Sequence, residues 1–534
     1  MKMNGFTGTG ALIRLILRRD WLLLLICVVL PALFAIITAA GFAQIFPTAE
    51  LRQVFASEVA SSPAEVALLG PVYASTIGGL TAWRWSMFDA LLVGLGSLLF
   101  VVRHTRTEEG AGRFELLDST AVGRNAALSA SVIVTLGADL VVGALVACGL
   151  IGVGLPITGS VALGMSAAAI GWTFAAVAGV AAQLAESAGA ARGIAIVVLG
   201  FFYLLRAVGD MDEHSGMSWL SWLSPFGWMR LIRPFADERW WIFVLFISLV
   251  IVLTAAAFAL SSRRDMGAGI LRPRPGPAVA SPRLRSPLAL AWRLHRGTLL
   301  AWTAGFAVYG AMSGGFAKTA SDQLAGNLQY KNILAQMGGS SRLSDNFLTL
   351  FLTLFCQIAA IYAIMATLQM QSEETEARLD PVLATSVSRL RWATSYVSLA
   401  VAGTAIVLAA FSLLAGLTYG LSIGNVGYEL PRVLAAAMAY LPAIWVMAGI
   451  AVALYGLMPR FTFMSWGASL GVILIEFLGK ILQVNQSILN ISPFTHVPNV
   501  LIGEVSVMPL IWLAVVAFAL AVIGLIGLRR RSIG

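Results

Sequence analysis

The sequence predicts an all-α polytopic membrane protein with about 12 transmembrane helices, laid out as two tandem parallel six-helix repeats. Three observations lead there. Of the 534 residues, 59% are hydrophobic and 11% charged, whereas a soluble domain carries about 25% charged residues. Apolar runs recur from end to end at roughly 20 residues, the length that spans about 30 Å of hydrocarbon. A charged segment, Glu108 to Arg124, returns at Glu373 to Arg389. Backbone groups in lipid must bond within their own segment, so the runs are helices. The alternating strands of a membrane barrel are absent.

The first six runs lie at 21–44, 86–102, 126–150, 160–184, 190–209 and 240–260. The second six lie at 297–317, 346–370, 393–422, 431–457, 462–483 and 506–528. Run 21–44 comes after Arg14, Arg18 and Arg19 and is too long for a signal-peptide core, so it reads as an uncleaved first span. Between the sets, Ser261 to Arg296 holds eight Arg and one Asp, and Pro273 to Pro287 is too rich in proline for one helix. The chain therefore divides into a six-span half at 1–262, an Arg- and Pro-rich linker at 263–290 and a second half at 291–534. An even span number per half makes the repeats parallel. The positive-inside rule places the linker, both charged loops and both termini on the cytoplasmic face of a bacterial inner membrane.

The linker is nearly free of stacking aromatics, which argues against nucleic acid and leaves attraction to anionic membrane lipids. Cys27, Cys148 and Cys356 all sit in apolar runs and read as small core residues. The four histidines are scattered, so no metal site is indicated.

The repeated loop carries the most information. Aligned without a gap, six of its 17 positions are identical, too many for two unrelated polar loops. They include Glu108/Glu373, Glu109/Glu374, Arg113/Arg378 and Arg124/Arg389, and Glu115 faces Asp380. Phe114, Leu117 and Val122 can share one helix face, and Asp380-Pro381 reads as an N-cap followed by a first-turn proline. Short amphipathic helices under the membrane are implied. Either the loops dock a cytoplasmic motor, or they are solvated loops that duplicated with their surroundings. Further marks recur in the same order: Ser224-Pro225-Phe226 as Ser492-Pro493-Phe494, and Arg263-Arg264 as Arg530-Arg531.

Charge inside the runs is expensive, about 2.5–3.5 kcal/mol per residue at mid-bilayer. Asp139 and Glu476 each need a partner or a cavity. Glu476 with Lys480, and Arg206 with Asp210, have the i,i+4 spacing of a helical pair. They are either salt bridges near helix ends or the lining of a gate. Thr349, Thr353 and Gln357 form a polar stripe opposite Phe347, Phe351 and Phe355. One stripe meets cargo and the other lipid, or both serve helix packing. Trp219, Trp222, Pro225 and Phe226, with Pro493 and Phe494, form an aromatic belt or an outer lid over an exit.

On its layout, the chain resembles ABC exporter permeases of the second type. The shared marks are a charged loop between the second and third spans, helices Leu12–Arg19 and Leu288–Arg296 before each first span, and outer hairpins at 211–238 and 484–505. The likeness is nearest to the internally duplicated permeases of actinobacterial polyketide-antibiotic exporters of the tetronasin type. It implies outward transport of hydrophobic or amphipathic compounds by a chain that is not itself an enzyme. Power would come from two copies of a separate ATPase subunit, which would bind the ATP and Mg. The ATPase-coupling residues would be Glu108, Glu109, Arg113, Glu115 and Arg124 with Glu373, Glu374, Arg378, Asp380 and Arg389. Pro381 stands where the first copy has Leu116, a departure that sets the two loops apart in shape. The chain has no phosphate-binding glycine loop, since Gly314 to Thr319 lacks the spacing. An ion-driven secondary transporter of the major-facilitator kind is the alternative. It shares two six-span halves and would use Asp139 and Glu476, but the long segments at 45–85 and 210–239 argue against it. A membrane-embedded enzyme would need clustered catalytic groups at one interface, and none are evident.

Overall fold

Helix prevails because long apolar runs must satisfy their own backbone in lipid. The computed structural model describes residues 5–61, 66, 69–110, 122–210, 218–265, 267–271, 279, 281, 284–325, 343–376, 378–478, 485–501, 503 and 506–531. Among these residues the regular structure is all helical, divided into two compact units, Met1–Gly276 and Pro277–Gly534. Ten helical stretches among the described residues are long and apolar enough to cross a membrane, one of them the consecutive helices between Val426 and Leu457. The two remaining runs expected from sequence fall in the 39-residue helix Pro287–Ala325 and the 15-residue helix Met464–Leu478.

The first unit contains α1 (Thr9–Arg19), α2 (Trp21–Ile45), α3 (Ala49–Ser61), α4 (Ile77–Val102), α5 (Ala126–Gly152), α6 (Ile157–Leu184) and α7 (Ala188–Asp210). The short α8 (Trp219–Trp222) and α9 (Pro225–Leu231) precede α10 (Phe243–Ser262). Helix α6 is the hub, packed by α4, α5, α7 and α10. Its tightest approach pairs Gly164 with Gly143 of α5, where a methyl on either would overlap the other's carbonyl oxygen. Small residues let membrane helices approach this closely and gain dispersion contacts. Helix α4 starts well before the run expected at 86. Thr76 caps it, accepting the Gly79 N–H at 3.0 Å, and Arg84 cuts its first turns off from the apolar run that a hydropathy reading sees.

The second unit contains α11 (Pro287–Ala325), α12 (Leu343–Thr375), α13 (Asp380–Leu383), α14 (Arg389–Ile423), α15 (Val426–Met438), α16 (Leu441–Leu457), α17 (Met464–Leu478), α18 (Gln486–Leu489) and α19 (Met508–Arg530). Helix α11 lies along α14, and α16 along α19 with Gly456 against Gly524. An aromatic core joins α11, α12 and α14: Phe355 stacks on Phe411 at 4.6 Å and meets Phe306 edge-on at 5.5 Å.

Three expectations are corrected. Leu12–Arg19 is a separate helix, broken from α2 at Asp20, but Leu288–Arg296 is not separate and runs unbroken into α11. At Asp20 the carboxylate is drawn away to Arg103 and His104, at 2.7 and 2.9 Å. Gly297, at the matching place, has no side chain to do this. The run at 431–457 is two helices, with a turn at Ala439–Tyr440 just ahead of Pro442, which cannot donate to a preceding turn. Cys356 is buried as expected, whereas Cys27 and Cys148 lie exposed on their helices; all three are free thiols.

Candidate functional site

The repeated loop starts inside the fold. Helix α4 runs on through a π-turn, Arg103–Thr107, into a last turn at Glu108–Gly110. A π-turn inserts an extra residue and rotates the remainder of the helix. Here it buries Arg106, which is 1% exposed. Arg106 donates to the Ala182 carbonyl and, at 2.7 Å, to that of Ala268. Its other nitrogen lies 3.2 Å from Glu109.

Glu109 turns inward. Arg264, just past α10, grips it with two parallel bonds of 2.8 and 3.0 Å, and the Gly267 N–H adds a third at 2.7 Å. Arg264 also donates to Gln183 at 2.6 Å. Ile270 and Leu271 donate their N–H groups to the Gln183 and Leu184 carbonyls at 3.2 and 2.9 Å. The last carbonyls of a helix have no partner of their own. Those of α6 are thus closed by the loop and by the segment after α10. Arg124, at the loop's far end, donates to the Arg264 carbonyl. Glu108 faces the other way and accepts from Arg19 of α1 at 2.8 Å, a bond that raises the arginine pKa.

The second unit repeats the arrangement with different neighbours. Glu374 pairs with Arg531, just past α19, and accepts the Tyr455 hydroxyl at 2.6 Å. Arg531 donates to the Tyr455 carbonyl at 3.0 Å and lies over the Tyr455 ring at 5.1 Å. Arg389 donates to the Arg531 carbonyl at 2.8 Å. Glu373 holds Arg378 by two bonds of 3.0 and 3.2 Å, which lifts the Arg378 pKa above its ordinary value.

Of the expected coupling residues, Glu109 and Arg124 thus meet in one unit and Glu374 and Arg389 in the other. Glu108, Glu373 and Arg378 pair apart from them. Asp380 opens the one-turn helix α13 rather than capping it; the cap position is Leu379. Arg113 and Glu115 lie outside the described residues. The sequence reading missed Arg106, Arg264, Arg531 and Tyr455 as site residues. The recurrence of Arg263-Arg264 as Arg530-Arg531 was the available signal, but nothing in one dimension joins it to the loops.

The proposed gate and lid residues are structurally engaged. Asp210 is 3% exposed and takes the Ser221 hydroxyl at 2.6 Å, Arg206 at 3.4 Å and Arg230. Glu476 accepts from Ser492 at 2.9 Å; Lys480 lies outside the described residues. Asp139 accepts from Ser97 at 2.8 Å. Thr349 and Thr353 bond back along α12, and Thr353 reaches the Tyr440 hydroxyl at 2.9 Å. Gln357 is buried. Of the two readings of the facing phenylalanine stripe, the structure fits helix packing: Phe355 is buried, and the partly buried Phe347 and Phe351 pack on the same core. Phe226 and Phe494 are buried anchors beside Pro225 and Pro493, while Trp219 and Trp222 are exposed. Among the described residues, no three His, Cys, Asp or Glu gather as metal ligands.

A cavity of about 830 Å³ opens among α16, α17 and α19, lined by Ile450, Val472, Ile475, Trp512 and Val516, with Ser492 and His496 at one end. Its volume lies in the range of drug-sized ligand pockets, about 300–1,000 Å³.

The chain matches the family model described as the C-terminal domain of the multidrug efflux system permease Rv1217c, over residues 85–260 and 284–529. The chain belongs to this permease family. It is 41% identical to the multidrug efflux system permease protein Rv1217c of Mycobacterium tuberculosis (strain ATCC 25618 / H37Rv), over 99% of this chain and 96% of that protein. The permease is thus a multi-pass membrane transport protein, with a charged loop in each unit and an apolar cavity in the second.

Proposed function

We propose that the permease is the membrane subunit of an ATP-driven ABC exporter that expels hydrophobic or amphipathic compounds, including antibiotics. Two copies of a separate ATPase, carrying the ATP and Mg, grip the loops at 108–124 and 373–389 from the cytoplasm. Both termini lie on that side of the inner membrane, and lipid surrounds the exposed apolar helix faces. The two units are duplicated six-span halves, as in tetronasin-type exporters. The observation that carries this reading is the recurrence of one charged arrangement, Glu–Arg–Arg, at the loop of each unit. The gap-free recurrence of Glu108–Arg124 as Glu373–Arg389 supports the duplication. A relative named as a multidrug efflux permease supports the cargo class, and the apolar cavity suits it. Coupling needs only that cargo and ATP prefer different states of the chain.

The test is reconstitution. Vesicles with the permease and its ATPase should accumulate a fluorescent apolar cation on ATP addition. A catalytically dead ATPase should abolish the signal. Accumulation driven by a proton gradient, with no ATPase present, would overturn the proposal.

A further inference from the structure

We infer that Arg264 and Arg531 are positioning residues that latch each charged loop to the end of the last helix in its unit, so that a push on the loop moves four helix ends together. The inference rests on the exporter reading and goes beyond it, because neither arginine lies in a loop expected to touch the ATPase.

The geometry carries it. Chain connectivity alone ties the first loop to α4 and α5, and the second to α12 and α14. The Glu109–Arg264 pair adds α10, and the Arg264 bond to Gln183 adds α6. The Glu374–Arg531 pair adds α19, and the Tyr455 contacts add α16. In each unit a second arginine, Arg124 or Arg389, clasps the backbone carbonyl of the latch arginine. The matching residues stand 265 apart in the loops (109 to 374, 124 to 389) and 267 apart after the last helices (264 to 531). Two clusters assembled from the same three sequence positions are one device used twice.

A purely structural role predicts something else. A half-buried ion pair is a poor route to stability, and apolar residues of similar volume often do as well or better. Glu109 and Arg264 retain only 11% and 13% of their side-chain exposure, and Glu374 and Arg531 21% and 16%. The two-pronged Glu109–Arg264 pair gives fixed direction, and in the second unit the single Glu374–Arg531 bond is oriented by Tyr455, which bonds both residues. Load transfer between elements needs direction, and dispersion contacts do not supply it.

The experiment uses the full permease–ATPase complex in vesicles and measures three quantities: ATPase retained on purification, basal ATP hydrolysis, and cargo moved per ATP. Arg264→Gln and Arg531→Gln should each lower cargo per ATP by about tenfold, within the usual range of coupling between sites. Retention and basal hydrolysis should stay within about twofold. The conservative Arg264→Lys, which keeps a cation against Glu109, should recover part of the loss. If Arg264→Gln does not fold, the apolar pair Glu374→Met with Arg531→Leu in the second unit, where the remaining partner of Glu374 is the neutral Tyr455 hydroxyl, leaves no lone charge and should fold yet remain uncoupled. Unchanged cargo per ATP in a folded Arg264→Gln or apolar-pair complex overturns the latch while leaving the exporter reading intact. A wild-type permease that retains no ATPase overturns that reading and the latch with it.

Discussion

At the scale of single residues, Asp210 is a buried carboxylate shared by Ser221, Arg206 and Arg230. The sequence showed Arg206 and Asp210 at helical spacing, so half of this cluster was legible. Arg230 was not, because a short helix beginning at Pro225 brings it back from beyond a turn. Gly70, at φ 86°, makes the room: a side chain there would strike the Arg230 guanidinium. Arg233 is held close by at φ 55°, its guanidinium 4.5 Å over Tyr73. Non-glycine residues in this region cost of order 1–3 kcal/mol and persist only where their surroundings hold them. Removing the carboxylate leaves two buried cations without it. Asp210→Asn should therefore cost about 3–5 kcal/mol, while Ser221→Ala, which deletes one hydrogen bond, should cost about 1–3 kcal/mol. Thermal unfolding in detergent ranks the two; equal melting temperatures would show that Asp210 is not the centre of the cluster.

At the scale of elements, hydropathy located most helices and misjudged their ends. Composition finds the lipid-crossing core of a helix, whereas caps, kinks and partners decide where it stops. Thr76 extended α4, Asp20 split α1 from α2, and Pro442 divided α15 from α16. Faces were harder to read than ends. Both stripes of α12 turned inward because α11, α14 and α16 surround it, a fact of packing that periodicity does not contain. The same limit applies to glycine. Gly137 and Gly143 sit on one helix and look alike in sequence, but only Gly143 abuts a neighbouring backbone; nothing lies within 4 Å of the place a Gly137 side chain would occupy. Gly143→Ala should prise α5 from α6 and lower stability by about 1–3 kcal/mol. Gly137→Ala should be neutral or gain up to about 1 kcal/mol from helix propensity. Detergent-resistance half-lives of the two variants measure the contrast, and a loss at both positions would place the tight contact elsewhere.

At the scale of the whole molecule, the repeated loop was legible as a repeat but not as a latch, since its partners lie some 140–160 residues further along the chain. The apolar cavity was not legible at all, because its lining is ordinary hydrophobic helix. The first unit is packed with aromatic rings around its own Ser-Pro-Phe segment. There Trp228 meets Phe246 edge-on at 5.3 Å and Phe174 packs on Phe226 at 5.3 Å. The Ser-Pro-Phe repeat aligns Trp228 with His496, a smaller side chain that lines the cavity in the second unit. On the exporter reading proposed above, selection by cargo size would fall to the second unit. Val472→Trp adds a ring to the cavity wall and removes part of the 830 Å³. Export of a bulky apolar dye should fall several-fold, about 1 kcal/mol, while export of a compact cation changes little. Parallel efflux traces of the two dyes from the same vesicles decide it. If both dyes slow equally, the substitution acts on the cycle rather than on cargo fit; if neither slows, cargo does not enter this cavity.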